Sequence, residues 1–301
     1  MTEYHPELAR ARFIPRFKQR DWSVALLQRI EQKPPRTPDD IVIEEIAEEG
    51  ARLRVYRPVA VTGTTPALFW VHGGGYIQGS PIQDEAFAIA VARELGITVA
   101  SVRYRLAPTH PSPAAIEDAY AGLLWLKNHA AERGVDPARI AIGGASAGGG
   151  LAAGLVLYAH DRGEVHPVFQ LLRYPMLDDR TVTRDLDDRL ARLWTNQNNR
   201  YGWTAYLGQE PGGPGVSEYS APARREDVTG LPPAWIGVGT LDLFHDEDLE
   251  YARRLREAGV EVSVDVVPGG FHGFDAVFFG KTGVVKDFQR AQIDALRAAL
   301  R

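Results

Sequence analysis

Short apolar runs alternate with amphipathic stretches along most of the chain. The apolar runs indicate strands at 67–71, 97–102, 140–142, 168–172, 234–238 and 260–267. Apolar residues at helical spacing follow at 84–95, 114–133, 148–161, 246–258 and 284–300. Strands that alternate with helices are joined by right-handed crossovers, which place helices on both faces of a mostly parallel sheet. The pattern therefore predicts an α/β fold.

Two segments precede this alternation. Residues 1–35 carry apolar side chains at roughly helical spacing, namely Leu8, Phe13, Phe17, Trp22, Leu26, Leu27 and Ile30. A proline-rich stretch at 34–38 ends this region. The β-rich runs 41–46 and 53–56 flank the acidic, glycine-containing stretch 48–50, and they predict an antiparallel hairpin.

The segment 178–215 interrupts the alternation. It contains no clear strand, but it carries many charges and the large aromatic residues Trp194, Tyr201, Trp203 and Tyr206. An insertion of this size is most often a lid or cap over the site, although a surface excursion with its own small core stays open. The chain then divides into N-terminal cap helices at 1–40, a core at 41–180 and 216–301, and a cap insertion at 181–215.

Composition narrows the classes of function. A length of 301 residues is compatible with one large domain or two smaller ones. The net charge of -5 gives no electrostatic reason to bind nucleic acid, and the absence of cysteine excludes disulfides, thiolate metal sites and a cysteine nucleophile. The uncharged stretch 140–159 contains six glycines, which favours a strand, a turn and a helix over membrane insertion. The N-terminus lacks the apolar core of a secretory signal, so we expect a cytoplasmic protein.

The stretch Gly144-Ala145-Ser146-Ala147-Gly148 matches the nucleophile-elbow pattern G-x-S-x-G. It follows a short apolar strand and precedes a helix, which is the context that the pattern requires. A phosphate-binding loop would need Lys and Ser or Thr where this chain has Gly149 and Gly150. We therefore predict that Ser146 is a nucleophile held above the sheet at a helix N-terminus.

A second motif, His72-Gly73-Gly74-Gly75-Tyr76, directly follows the apolar run 67–71. Three consecutive glycines let main-chain N–H groups point into an open space, as an oxyanion hole requires. A turn that needs positive φ is the alternative. We expect His72 to brace this loop by hydrogen bonding rather than to act as the base.

A serine nucleophile needs a base, and the base needs an acid that fixes its tautomer. Behind an elbow of this kind the chain order is Ser, acid, His. His272 lies in a glycine-rich loop after the last strand, and we favour it over His245, which stands beside acids that capping of a helix start explains. Asp242 follows the penultimate strand, and we favour it over Asp246 and Asp275.

Together these motifs make the chain resemble the hormone-sensitive-lipase-like branch of the α/β-hydrolase esterases. The resemblance covers nearly the whole length and rests on His72 to Tyr76, Tyr104-Arg105-Leu106-Ala107-Pro108, Pro113-Ala114-Ala115 with Asp118, Gly144 to Gly149, Asp242 with Asp246-Glu247, and His272-Gly273-Phe274. It implies an α/β-hydrolase fold with a helical cap, and a carboxylic-ester hydrolase without metal or organic cofactor. It also implies that the N–H groups of Gly74, Gly75 and Ala147 form the oxyanion hole.

Three positions depart from the family pattern. Members commonly carry an acid before the serine, where this chain has Ala145, and an acid after Leu-Ala-Pro, where it has Thr109. They also carry Pro after the catalytic Asp, where this chain has Leu243. The first two departures remove acids that would join a polar network around the elbow, and none removes a triad or oxyanion position.

The resulting hypothesis is a serine hydrolase in which Ser146 attacks an ester carbonyl. His272, held by Asp242, moves the proton, and water then hydrolyses the acyl-enzyme. The dense charge of 180–200 is unlike the amphipathic lid of a membrane-surface lipase, so we expect small-molecule esters with short-to-medium acyl groups. Amide, carbamate or lactone hydrolysis by the same residues stays open, as does a ligand-binding receptor.

Aromatic side chains are the candidates for substrate binding, namely Tyr76, Phe13, Phe17, Trp22, Trp194, Tyr201 and Trp203. Packing within the cap explains any single one of them equally well. The sequence leaves the oligomeric state open, although a homodimer through the edge strand near 260–267 would be ordinary for a fold with an unprotected edge.

Overall fold

The computed structural model describes residues 3–30, 34, 36–278 and 280–301. Strands in this part of the chain form one sheet and are β1 (Ile41–Glu48), β2 (Ala51–Pro58), β3 (Thr65–Val71), β4 (Thr98–Val102), β5 (Val135–Ala145), β6 (Phe169–Arg173), β7 (Ala234–Gly239) and β8 (Val262–Val267). Their spatial order is β1-β2-β4-β3-β5-β6-β7-β8. Strand β2 is antiparallel to both of its neighbours, β1 and β4. All other neighbouring pairs, from β4–β3 across the sheet to β7–β8, are parallel. The α/β fold and the N-terminal hairpin are therefore confirmed.

Helices cover both faces of the sheet. The helices of the described residues are α1 (Asp21–Arg29), α2 (Glu85–Leu95), α3 (Ala114–Asn128), α4 (Ala147–Arg162), α5 (Asn196–Leu207), α6 (His245–Glu257), α7 (Phe274–Val277) and α8 (Gly283–Ala299), and of these α2, α3, α4, α6 and α8 pack on strands. Short 3₁₀ turns lie at Pro6–Phe13, Pro81–Asp84, Asp179–Thr183 and Pro222–Arg224. Within the described residues, no helix combines the length and the apolar character that a membrane span needs.

The sheet divides the core into two layers, because successive side chains of a strand point to opposite faces. On β3, Phe69 and Val71 pack in the layer that α3 and α4 cover, whereas Leu68 and Trp70 pack in the layer of α2 and α8. Both faces of the parallel strands are thus buried, which explains why these strands are continuous apolar runs in the sequence. The carboxyl ends of β5, β7 and β8 meet at one edge of the sheet, where the candidate site lies.

The N-terminal region differs from the helical segment that the sequence predicts. A 3₁₀ turn ends at Phe13, an extended stretch follows, and α1 begins only at Asp21. Ile14 is extended because the residue before a proline, here Pro15, avoids the helical region. The end of the predicted segment, at 31–33 and 35, lies outside the described residues.

Hydrogen bonds join the N-terminal region to the insertion around α5. The side-chain amide of Asn198 accepts the N–H of Gln19 at 3.0 Å and donates to the carbonyl of Phe17 at 2.9 Å. The guanidinium of Arg192 donates to the carbonyl of Ala11 at 3.0 Å. Two segments far apart in sequence therefore form one layer.

Candidate active site

The nucleophile elbow lies between β5 and α4. Ser146 has φ of 57° and ψ of −123°, a conformation that a residue with a side chain adopts only under strain. Its N–H donates to the carbonyl of Arg173 on β6 at 2.9 Å. A Cβ on Gly148 would overlap the carbonyl oxygens of Val71 and His72, so the second glycine of the motif lets the helix approach β3. The turn is tight because the backbones of both neighbouring strands, β3 and β6, lie against it.

Ser146, His272 and Asp242 form a continuous hydrogen-bonded chain. The hydroxyl of Ser146 donates to Nε2 of His272 at 2.8 Å, and Nδ1 of His272 donates to Oδ2 of Asp242 at 2.8 Å. The other carboxylate oxygen, Oδ1, accepts the N–H of Phe244 at 3.0 Å. All three side chains are buried, so little water competes for these bonds. The acceptor role of Oδ2 fixes the proton on Nδ1 and leaves Nε2 free to accept from the serine.

Two aromatic rings orient the imidazole of His272. Tyr174 contacts it edge-on with ring centroids 4.8 Å apart, and Phe244 does the same at 5.1 Å. The sequence analysis did not single out either residue. The only available signals were their places directly after β6 and two residues after Asp242.

The rival candidates lie elsewhere. Nδ1 of His245 contacts Oδ1 of Asp246 at 2.8 Å, and neither residue contacts Ser146 or His272. Asp275 is buried, but it accepts hydrogen bonds from Arg173 and Tyr174 rather than from His272. The structure thus brings together the three residues that the motifs favour.

Acids at the start of α6 do more than cap a helix. Glu247 accepts the N–H groups of Leu177 at 2.7 Å and Asp178 at 3.1 Å, and also the hydroxyl of Thr181. Burial raises the pKa of Glu247 to about 8. These contacts tie the loop after β6 to the helix that follows Asp242.

Candidate oxyanion donors surround the serine hydroxyl. Ala147 is the first residue of α4, so its N–H has no acceptor within the helix. Gly74 and Gly75 line the same cavity as Ser146, and both have positive φ, at 117° and 63°. A Cβ on Gly75 would overlap the ring of Trp194, so the ring can lie directly on this backbone only because the residue is glycine.

His72 braces the glycine loop. Its Nδ1 donates to the carbonyl of Gly73 at 2.8 Å, and its ring stacks on Tyr104 with centroids 4.3 Å apart. Burial lowers the pKa of His72 to about 4, although the bond to Gly73 opposes the shift. The ring is therefore neutral at neutral pH. It makes no hydrogen bond to Ser146.

The cavity beside Ser146 has a volume of about 160 Å³. Its walls include Tyr174, Leu193, Trp194 and His272. Of the aromatic residues expected to bind substrate, Trp194 is the one that lines this cavity. No group of three or more His, Asp or Glu side chains in the described part of the chain is placed to hold a metal ion.

The other six aromatic candidates do not line the cavity. Tyr76 and Trp203 are buried with ring centroids 5.8 Å apart, because the inner face of α5 packs on the glycine loop. The hydroxyl of Tyr201 donates to Asp21 at 2.8 Å and joins α5 to α1. The remaining three are exposed: Phe13 by 74%, Phe17 by 70% and Trp22 by 68%.

Comparison with known proteins places this geometry in a family. Residues 68–276 match the family model described as alpha/beta hydrolase fold. The chain belongs to this family. The hydrolase is 38% identical over 231 residues to the carboxylic ester hydrolase LipN of Mycobacterium tuberculosis, and the match covers 75% of the hydrolase but only 61% of LipN. It is 37% identical over 256 residues to the carboxylesterase NlhH of the same species, covering 80% of the hydrolase and 78% of NlhH.

Solved structures agree with the sequence matches. A bacterial heroin esterase superposes on the hydrolase with a TM-score of 0.88 at 39% identity, over 99% of the hydrolase and 98% of that chain. The resemblance to α/β-hydrolase esterases that the motifs predict is thereby confirmed.

Proposed function

We propose that the hydrolase cleaves carboxylic esters through a Ser146–His272–Asp242 triad and an acyl-enzyme. The observation that carries the proposal is the unbroken chain of hydrogen bonds from the serine hydroxyl to the aspartate, with each bond at 2.8 Å. Relatives named as ester hydrolases support the bond type.

In the first half-reaction, the oxygen of Ser146 attacks the ester carbonyl while Nε2 of His272 takes the proton. The N–H groups of Gly74, Gly75 and Ala147 stabilise the resulting oxyanion, since preorganised donors act most strongly where charge develops. His272 then protonates the departing alcohol. Water, activated by His272, attacks the acyl-enzyme and releases the acid.

The preferred acyl group is short to medium in length. A cavity of about 160 Å³ next to Ser146 limits what fits beside the nucleophile. Trp194 limits the size of the acyl group further, because its ring rests on the backbone of Gly75 beside the serine. Gly202 of α5 packs closely against the same ring, since a Cβ at this position would lie only 2.9 Å from Cζ2 of Trp194, so α5 holds Trp194 in place.

We assign the segments 1–40 and 181–215 to a cap, and 41–180 and 216–301 to the catalytic core. The hydrogen bonds of Asn198 and Arg192 to the N-terminal region support this division, because they join the two cap segments to each other. Trp194 and Leu193 bring the insertion to the cavity.

Loss of the nucleophile tests the proposal. Ser146→Ala should lower kcat for a nitrophenyl acetate ester by roughly 10⁴-fold or more, because deletion of a triad member acts steeply. A fluorophosphonate probe should label Ser146 in the wild-type protein. Ser263→Ala, which changes an exposed serine on β8, should keep both the turnover and the labelling. Labelling that persists in Ser146→Ala would exclude this serine as the nucleophile.

A further inference from the structure

Beneath the elbow lies a buried ionic cluster that the reaction scheme does not use. Arg173, the last residue of β6, donates to Oδ1 of Asp84 at 3.1 Å and to Oδ2 of Asp275 at 3.0 Å. The indole N–H of Trp70 donates to the other oxygen of Asp84 at 3.0 Å. Arg173 is 2% exposed, so its charge is stabilised by these partners rather than by water.

The cluster contacts the triad from two sides. The carbonyl of Arg173 accepts the N–H of Ser146 at 2.9 Å, in the strained turn itself. On the other side, Asp275 accepts the hydroxyl of Tyr174 at 2.7 Å, and the ring of Tyr174 contacts His272. Arg173 is therefore joined to the nucleophile through its backbone carbonyl, and to the base through its guanidinium, Asp275 and Tyr174.

The neighbouring strand makes room for this side chain. Ala145, directly before the nucleophile, is the register partner of Arg173. Its methyl group leaves space for the guanidinium, which stacks on Trp70 with its carbon 5.1 Å from the ring centroid and on Phe87 at 4.9 Å. No acid stands at 145, so Asp84 and Asp275 supply the carboxylates from other elements.

A paired arginine holds its neighbours rigidly. The planar guanidinium donates in fixed directions, and here it binds carboxylates from the start of α2 and from α7. Lysine carries the same charge, but it lacks the planar fork and cannot bind both carboxylates in this geometry. Removing either contact frees Tyr174 or the end of β6 to shift.

We propose that Arg173 is a positioning residue for ester hydrolysis, which holds the backbone at Ser146 and, through Asp275 and Tyr174, the ring of His272. The inference rests on the proposed function, because positioning matters only if these two residues react. Arg173 touches neither substrate nor the reacting atoms.

Two variants test this role. Arg173→Lys keeps the charge and loses the fork, whereas Tyr174→Phe keeps the ring against His272 and loses only the hydroxyl that Asp275 holds. Each should lower kcat per active site by about 10- to 100-fold, as a small misplacement of reacting groups does. KM should change by less than the fall in kcat.

Active-site titration separates positioning from stability. A burst of nitrophenol counts the reactive serines, so kcat is expressed per titrated site. If the cluster served stability alone, the variants would have fewer active sites and a lower melting temperature than the wild type, but kcat per site would stay at the wild-type value.

Arg54→Lys is the matched control. Arg54 is 6% exposed and donates to the buried Glu85 at 2.7 Å, and its side chain hydrogen-bonds to Tyr56, Glu85 and Glu45 rather than to Ser146 or His272. It should lose stability like Arg173→Lys but keep kcat per site.

The proposal requires a lower kcat per site in both test variants, so a wild-type value in either one overturns it. If Arg173→Lys does not fold, Tyr174→Phe tests the connection from Arg173 through Asp275 to His272, and an unchanged kcat per site in it overturns the proposal. The wild-type protein separates this inference from the function on which it rests. Absence of both a burst and labelling of Ser146 in the wild type would reject the function and the inference together, whereas normal wild-type behaviour with unchanged variants rejects the inference only.

Discussion

At the scale of single residues, the proposed reaction depends on which nitrogen of His272 carries a proton. Oδ2 of Asp242 accepts from Nδ1, so the lone pair of Nε2 faces the hydroxyl of Ser146. Asp242→Asn replaces this acceptor with an amide that can donate, which favours the wrong tautomer. We expect a fall in kcat of about 10⁴-fold, measured with a nitrophenyl ester at neutral pH.

His245→Ala provides the control for this experiment. His245 is the rival histidine in the sequence analysis, and its imidazole contacts the side chain of Asp246 rather than a side chain of the triad. It should retain near wild-type turnover, whereas His272→Ala should lose it. An exchange of these two outcomes would show that the base is His245.

His72 makes a separate prediction about stability in acid. Its folded pKa is about 4 against an ordinary value of 6.5, because burial disfavours the charged ring. Between these values the unfolded chain binds a proton that the folded chain does not, so the free energy of unfolding falls as pH drops below about 6.5. The full effect is about 3 kcal/mol once the pH nears 4.

The measurement is urea unfolding at pH 7 and at pH 4.5, compared between the wild type and His72→Asn. Asparagine keeps an N–H donor for the carbonyl of Gly73 but does not titrate. The variant should therefore lose less stability on acidification than the wild type. Equal losses in the two proteins would show that His72 is not the group responsible.

Single residues also show which parts of the candidate site the sequence alone could predict and which it could not. Ser146, Asp242 and His272 could be predicted because each follows a strand within a recognisable motif. The partners of Arg173 could not, since Asp84 and Asp275 come from other elements and only the folded sheet brings them together. An aromatic residue gives even less information, because its type does not distinguish a cavity wall from packing.

At the scale of elements, the N-terminal region has two different parts. Leu8 and Ala11 are fully buried against the core, whereas Phe13 and Phe17 are exposed. Hydrophobic spacing predicted a helical region but could not show that Pro15 breaks it into a 3₁₀ turn and α1. Deletion of 1–35 would therefore open the core as well as the cap, so point variants test the cap more cleanly.

Phe17 is the exposed aromatic residue best placed to contact a long acyl chain. The amide of Asn198 donates to the carbonyls of both Phe17 and Leu193, and Leu193 lines the cavity. Phe17→Ala should reduce kcat/KM progressively more from acetate to laurate esters, by at most ~0.8 kcal/mol for each added methylene that loses its contact. Phe13→Ala and Trp22→Ala test the other two candidates in the same way.

Val59→Ala is the control for these variants, because Val59 is 59% exposed in the turn after β2. It should leave the chain-length profile unchanged. If Phe17→Ala, Phe13→Ala and Trp22→Ala all keep the wild-type profile, the exposed aromatics are not part of the acyl site.

At the scale of the whole molecule, the alternation of apolar runs and helical stretches predicted the strands and the two-layer core, because parallel strands buried on both faces leave a clear signal. The placement of β4 between β2 and β3 leaves no such signal. It depends on crossover connections and on which neighbour each strand edge finds in the folded chain. The insertion shows the same limit, since its size predicted a lid or cap but not which of its aromatic side chains lines the cavity, which among them is Trp194.

The free edge of β8 leads to the last prediction, which concerns assembly. Strand β8 pairs with β7 on one side, and no other strand of the described residues pairs with its second side. Val266 on this strand is 38% exposed, and an unpaired strand edge offers its free N–H and C=O groups to another strand. We therefore expect a homodimer in which two β8 edges meet, and Val266→Lys should convert it to a monomer, because it adds a positive charge to each of the two edges that meet. Sedimentation velocity over a range of concentrations measures this change.

The matched control is Val42→Lys on β1, the opposite edge of the sheet, where Val42 is 42% exposed and the dimer should persist. A wild-type protein that is monomeric at every concentration, or a dimer that Val42→Lys dissociates and Val266→Lys does not, would contradict assembly through β8.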